Sequence, residues 1–309
     1  MEFRSFISDL SELKRRGTVE YSLNYPFSRI CTLRMGGDIP CLIYPKSEDA
    51  FIEVIRICSD NSLKYRVIGN ASNIIPPDKV SIPVIISSRR MKGICRKNAC
   101  SLSVNAGEQI NSLIGYCMKN SLSGMEMLYG IPATVGGAAV MNAGAFGESI
   151  SDSIYNIRCY DTKLCRTVDI SASDASYSYR KSIFTDSKRY IILCVDLEFT
   201  YDGGVRERAE TAKRNKYRTQ PTSERSAGSV FRRSEIYPPP AYLIDRAGLK
   251  GFEIGDAAIS EKHAGFMINR GNAKETDFRE LIEYTKRVVL EKFSAELICE
   301  TEFLGDNNI

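Results

Sequence analysis

Gly130-Ile-Pro-Ala-Thr-Val-Gly-Gly-Ala-Ala-Val-Met-Asn-Ala-Gly-Ala-Phe-Gly147 crowds small residues so densely that almost no bulky side chain separates its backbone from whatever lies beside it. Glycine admits positive φ and close approach but weakens helix and strand interiors, so such a run is unfavourable unless a ligand or another segment uses the space. Bare main-chain N–H groups in loops of this kind form nests that hold phosphates. A second small-residue turn, Gly69-Asn70-Ala71-Ser72-Asn73, follows Tyr65-Arg66-Val67-Ile68 as a strand-to-loop junction does. Two cradles point to a dinucleotide with its pyrophosphate between them. Tight packing of two elements is the alternative, because one Gly-rich run is a weak signal.

The whole chain bounds the answer. Its 309 residues suffice for two or three well-buried domains, and a composition of 43% hydrophobic and 26% charged residues is that of an ordinary globular protein. Apolar runs such as Ser81–Ile86 and Tyr190–Val195 fall far short of a membrane span. The start, Met1-Glu-Phe-Arg-Ser, lacks the basic and apolar regions of a signal peptide, so a cytoplasmic protein is expected. The ten cysteines form no Cys-x-x-Cys pair and read as buried thiols in a reducing compartment. With one histidine, His263, a site of several imidazoles is excluded, and no metal is expected. A formal charge of +4 does not by itself argue for nucleic acid.

Periodicity places the elements. Phe3, Ile7, Leu10 and Leu13 predict an N-terminal helix ending before Gly17. Ser47 caps a helix with Ala50, Phe51, Val54, Ile55 and Cys58 on one face. Strands are expected at 65–68, 82–86, 101–105, 155–160, 164–170 and 190–199, with a helix carrying Ile110, Leu113, Ile114 and Cys117. A basic helix runs over 205–218 near a domain boundary. Its face reads as solvated beside an anionic small-molecule site rather than as a nucleic-acid surface, since Glu207 and Glu210 break it. The last helix is expected from about Asp277, with Glu280 completing a capping box. A strand over 296–304 follows.

Taken in order, six blocks resemble those of the UDP-N-acetylenolpyruvoylglucosamine reductase (MurB) family. They are Thr32-Leu-Arg-Met-Gly-Gly37, Val67-Ile-Gly-Asn-Ala-Ser-Asn73, the 130–147 stretch, Tyr179-Arg-Lys-Ser-Ile-Phe184, Gln220-Pro221 with Ser226-Ala-Gly-Ser-Val-Phe231, and Ile259-Ser-Glu-Lys-His-Ala-Gly-Phe-Met-Ile-Asn269. The resemblance runs on to Glu300-Thr-Glu-Phe-Leu-Gly305. It implies an α+β protein: a two-subdomain FAD-binding module of the vanillyl-alcohol-oxidase/PCMH type followed by a C-terminal α+β substrate domain. The corresponding division is an N-terminal helix over 1–18, an FAD module over 19–203 with subdomains of about 19–88 and 89–203, and a substrate domain over 204–309. The absence of Gly-x-Gly-x-x-Gly between a strand and a helix agrees with that fold rather than a doubly wound one. The compact sequence after Arg180 resembles the family's shorter, type II class.

The implied activity is NADPH-dependent, FAD-mediated reduction of UDP-N-acetylglucosamine enolpyruvate to UDP-N-acetylmuramate, a step in peptidoglycan precursor synthesis, by a monomer without a nucleic-acid partner. A site for it needs a cation for the substrate carboxylate, a proton donor and exclusion of water. The resemblance makes Arg180 the cation, Ser229 the proton donor and Glu300 a carboxylate that orients the substrate or assists protonation, with Glu302 sharing a strand face with Glu300 and not separable from it by periodicity. FAD contacts are implied for Gly69, Asn70, Ala71, Ser72, Asn73, Gly130, Ile131, Pro132, Thr134, Gly136, Gly137, Ala138, Asn142, Ala143 and Gly144, and substrate contacts for Tyr179, Lys216, Arg218 and Arg233. His263 is expected to be structural.

Some positions depart from the family's pattern. Ala71 and Ala133 stand where glycine is common, and Arg232-Arg233-Ser234 replaces Lys-Asn-Pro, so Arg233 is expected to compensate by pairing with the uridine diphosphate. Another FAD-dependent oxidoreductase of the same superfamily is the alternative enzyme. A colourless RNA-binding module using the 205–218 helix is the non-enzymatic one.

Overall fold

Phe6, Leu10 and Leu13 recur at helical spacing, and all three are buried along α1 (Glu2–Arg15). They face Phe51, Val54, Ile55 and Cys58 of α2 (Glu48–Asp60), whose N-cap Ser47 accepts a hydrogen bond from Ala50 N as the sequence predicts. The structure, a computed structural model, describes residues 2–304.

The chain folds into two compact units that are not contiguous in sequence. The first runs up to Leu23 and adds Cys41–Asn70 and Pro83–Arg214; the second gathers Asn24–Pro40, Ala71–Ile82 and the chain from Asn215 onward. One sheet takes the order β1 (Val19–Pro26), β2 (Asp38–Pro45), β4 (Val84–Ser87), β3 (Tyr65–Ile68), with β4 parallel to both β2 and β3. All four residues of β4 are buried, as a parallel central strand requires. In the first unit, α1 and α2 cover this sheet through Cys41, Ile43, Val84 and Ile86.

An antiparallel sheet of five strands completes that unit. Its order is β8 (Arg166–Ser171), β7 (Ile154–Asp161), β9 (Tyr190–Glu198), β6 (Ser101–Asn105), β5 (Ile94–Arg96). The core beneath it joins Leu102, Val104, Ile157 and Val195 to Leu113 and Ile114 of α3 (Ile110–Lys119). The same core takes in Ala138 and Ala139 of α4 (Val135–Val140). Thus the Gly-rich stretch is not wholly a loop. Thr134 Oγ1 accepts from Gly137 N at 3.2 Å and starts a short helix inside it.

Helix α5 (Val205–Thr219) continues the chain into the second unit, where β10 (Ser226–Ser229), β13 (Phe266–Asn269), β12 (Ala257–Ile259) and β11 (Glu253–Ile254) form an antiparallel sheet in that order. Helices α6 (Pro240–Arg246) and α7 (Glu275–Phe293) accompany it, and Phe278, Leu281 and Ile282 of α7 are buried. Helix α7 begins at Glu275 rather than Asp277, because Asp277 Oδ2 accepts from Lys274 N at 2.9 Å. Asp277 is therefore the acidic partner of the cap, and Glu280 lies beyond it.

Three further expectations change. The 296–304 stretch is not one strand: Glu302–Phe303 forms a two-residue strand parallel to Ile74–Ile75 of the same unit, and Cys299 makes an isolated bridge. A bend at Thr301 separates the strand from Cys299, so a common face for Glu300 and Glu302 does not follow from strand alternation. Cys95 and Cys165 are exposed rather than buried, although all ten cysteines are free thiols. Gly305 lies outside the described residues.

Candidate active site

The nest at the end of β3 is built by the chain's own conformation. Ala71 takes φ +49, and the N–H groups of Asn70, Ala71, Ser72 and Asn73 donate to no acceptor among the described residues. Successive unpaired N–H groups around a left-handed residue are what an anionic diphosphate requires. FAD therefore fits here by main-chain donors. The side chain of Asn70 is committed elsewhere, donating to Gln109 Oε1 at 2.6 Å and Pro132 O at 3.1 Å.

The 130–147 stretch serves packing and cradle together. A Cβ on Gly69 would meet Thr134 Oγ1, one on Gly136 would lie 2.7 Å from Ala106 Cβ, and one on Gly144 would meet Glu148 O. Thr134, Gly136, Ala138 and Asn142 are buried in the protein. Gly130, Ile131, Pro132, Gly137, Ala143 and Gly144 keep surface, and Ala133 N–H is unpaired among the described residues. Packing thus accounts for Gly136 and Gly144, and positive φ for Gly130 (+91) and Gly147 (+93).

Arg180 sits in the same unit at the tip of a tight turn, with φ +56 and the bridge Ser178↔Lys181 closing the turn beneath it. Its guanidinium donates from Nη1 to Asn142 O at 3.1 Å and from Nη2 to Gly144 O at 2.9 Å. Asn142 Nδ2 in turn donates to Ser178 O at 2.9 Å, and Ser182 Oγ to Val140 O at 2.7 Å. Four hydrogen bonds therefore hold the turn on the end of α4 and fix a permanent positive charge beside the Gly-rich stretch. Tyr179 is half exposed, its ring 5.2 Å from the Arg180 guanidinium carbon.

Ser229 and Glu300 belong to the second unit, which brings them together. Strand β10 pairs with β13 through Ser226↔Ile268 and Ser229↔Phe266, so one extra residue bulges between them and Gly228 takes φ +84. A bulge re-aims the side chain that follows it. Ser229 is half-buried, and its Oγ has no hydrogen-bond partner among the described residues. Immediately after it, Val230 O accepts from Glu300 N at 2.7 Å, while Phe231 bridges Cys299. Asn73 Nδ2 donates to Glu300 O at 3.4 Å, tying the end of the nest to the carboxylate-bearing segment within this unit.

The remaining charges are less uniform than the sequence suggests. On α5, Arg208 donates to the buried Glu126 at 2.7 Å and to Asp202 at 2.8 Å. Burial pushes the Glu126 carboxyl up, but hydrogen bonds from Gly124 N, Ser123 and Arg208 outweigh it and hold the group below its ordinary value. Lys213 lies 4.6 Å from the Tyr129 ring centre, Lys216 is buried, and Arg218 and Arg233 are exposed. The helix presents no uniform basic stripe. His263 Nδ1 accepts from Gly265 N at 3.2 Å, and burial lowers its pKa, which suits a neutral structural imidazole. Among the described residues no cluster of metal-binding side chains occurs and no helix is long and apolar enough to cross a membrane.

Comparison with known proteins converges on one family. The UDP-N-acetylenolpyruvoylglucosamine reductase C-terminal domain matches residues 220–304, and an FAD binding domain matches residues 39–163. A UDP-N-acetylenolpyruvoylglucosamine reductase of Fervidobacterium nodosum is 37% identical over 91% of this chain and 90% of its own. One from Caldicellulosiruptor bescii is 34% identical over 99% of this chain and 95% of its own. The crystal structure of the Thermus caldophilus reductase (MurB) superposes with a TM-score of 0.76 at 28% identity, covering 92% of this chain and 98% of that one. By these relatives and this domain match, the chain belongs to the UDP-N-acetylenolpyruvoylglucosamine reductase family.

Proposed function

We infer that the chain reduces the enolpyruvyl ether of UDP-N-acetylglucosamine to the lactyl ether of UDP-N-acetylmuramate, using NADPH and FAD, in the cytoplasm and as a monomer. Supporting the reading most directly is the second unit's pairing of Ser229 with the Glu300 segment through the Val230–Glu300 hydrogen bond, since the reaction needs a proton donor and an assisting carboxylate in one place. Bound FAD supplies the two-electron carrier between NADPH and the vinyl carbon. The nest at Asn70–Asn73 and the accessible residues Gly130, Ile131, Pro132, Gly137, Ala143 and Gly144 would hold it. Gly69, Thr134, Gly136, Ala138 and Asn142 act by shaping the main chain.

Arg180 binds the substrate carboxylate and opposes the negative charge that gathers there as the double bond is lost. Ser229 Oγ delivers a proton to the carbon bearing the carboxylate. A serine hydroxyl is a weak acid, so the transfer depends on an enolate forming beside it and on Glu300 to orient substrate or assist. Tyr179, Lys216, Arg218 and Arg233 contact the nucleotide substrate. Residues 204–309 carry the substrate-binding part and 19–203 the FAD-binding part.

Pure protein should absorb as a flavoprotein, bleach on anaerobic NADPH addition and recover on addition of the enolpyruvyl nucleotide. Ser229→Ala should bleach at the wild-type rate but recover slower by about 10²-fold or more, because only the second half-reaction consumes the proton. Equal slowing of both halves would remove Ser229 from this role.

A further inference from the structure

Gln109 has no place in the chemistry above, yet within the first unit it touches both Asn70 and the 130–147 stretch. It is the residue before α3, and its side-chain amide pairs reciprocally with that of Asn70: Asn70 Nδ2 donates to Gln109 Oε1 at 2.6 Å and Gln109 Nε2 donates to Asn70 Oδ1 at 3.2 Å. The main chain on either side is fixed to the 130–147 stretch. Val135 N donates to Glu108 O at 2.8 Å, Ile110 N donates to Ala133 O at 3.0 Å, and Gln109 forms a bridge with Thr134. One residue is thus bolted through its backbone to one cradle and through its side chain to the other.

Such a link has an unequal effect on folding and on ligand binding. Gln109 and Asn70 are both half-buried, so if the pair separates, water satisfies both amides and the folded chain loses little. A diphosphate has no such substitute, because it gains from the nest only if the loop is already where the rest of the cofactor places the phosphates. Besides the Gln109 pair, a hydrogen bond from Asn70 Nδ2 to Pro132 O at 3.1 Å attaches the Asn70 side chain to the 130–147 stretch.

We propose that Gln109 is a positioning residue for the cofactor, setting the separation of the Asn70 loop from the 130–147 stretch and thereby the affinity for FAD. This rests on the flavoenzyme reading. Two amide hydrogen bonds, each equivalent to about 2- to 10-fold in an equilibrium constant, make the expected loss of affinity about 4- to 100-fold.

Stripping the flavin and titrating FAD back, with fluorescence quenching as the signal, gives the dissociation constant, and a thermal melt of each apoprotein gives a separate readout. Gln109→Leu should raise the dissociation constant about 4- to 100-fold, with the apoprotein melting temperature within about 2 °C of wild type. Asn70→Ala should behave similarly, and the double variant should be no weaker than the weaker single, because both ends of one link have been cut. A Gln109→Leu constant within about twofold of wild type, multiplicative losses in the double variant, or a lowered melting temperature with unchanged affinity would each overturn the proposal. Should Gln109→Leu fail to fold, Gln109→Glu retains the acceptor for Asn70 Nδ2 and should still weaken FAD by at least about threefold; unchanged affinity there overturns it too. Wild-type protein that takes up no FAD would instead sink the flavoenzyme reading, and this inference with it.

Discussion

Ala71 holds φ +49 in the nest, a conformation in which an L-residue's Cβ crowds its own backbone. The strain costs about 1–2 kcal/mol, while glycine would add about 0.5–1 kcal/mol of unfolded-chain entropy. Ala71→Gly should therefore raise stability by about 0.5–1 kcal/mol, read from the midpoint of denaturant unfolding of the apoprotein. A fall instead would mean that its buried methyl outweighs the backbone. The left-handed turn was legible in the sequence as a question, because Ala stands where the family commonly has Gly, but its φ was not. Arg180 and Ser229 stand out as candidates in the sequence because each sits in a short block of distinctive neighbours. Gln109 does not: a glutamine before an amphipathic helix carries no signal, and its partner Asn70 lies far away in sequence.

Helix starts show how much an element reveals locally. Ser47 precedes a strongly amphipathic run and caps it, so the cap and the buried face of α2 followed directly from spacing. Ser47→Ala should destabilise the protein by about 1 kcal/mol. At α7 the sequence offers Asp277 and Glu280 as a capping pair, but the chain starts one turn earlier with Asp277 accepting from Lys274 N. Asp277→Ala should therefore lower the thermal midpoint while Glu280→Ala leaves it nearly unchanged; the reverse order would restore the sequence-based start. Strand ends were harder still. Glu302–Phe303 is a strand only because Ile74–Ile75 lies beside it in the same unit, a pairing that no local pattern announces.

At the scale of the molecule, the compact units alternate along the sequence: segments Asn24–Pro40 and Ala71–Ile82 group with the C-terminal stretch. Composition along the chain contains no mark of this, since each segment looks like any other short connector. Burial of thiols is decided at the same scale. Cys41, Cys58 and Cys117 are buried and their pKa values pushed up to about 12, whereas Cys95 and Cys165 are exposed. A thiol reagent at neutral pH should label Cys95 and Cys165 quickly and those three only after unfolding, with peptide mapping as the check. Early labelling of Cys41, Cys58 or Cys117 would contradict the packing around them. By itself the sequence determined the α+β class, most helices and the family, because periodicity, caps and short ordered motifs are local and survive in one dimension. Tertiary structure alone decided the amide link between Asn70 and Gln109, the placement of Glu300 beside Val230 and which glycines of the 130–147 stretch are closely packed. Each of these depends on which distant segment lies alongside, and a linear chain does not state its neighbours.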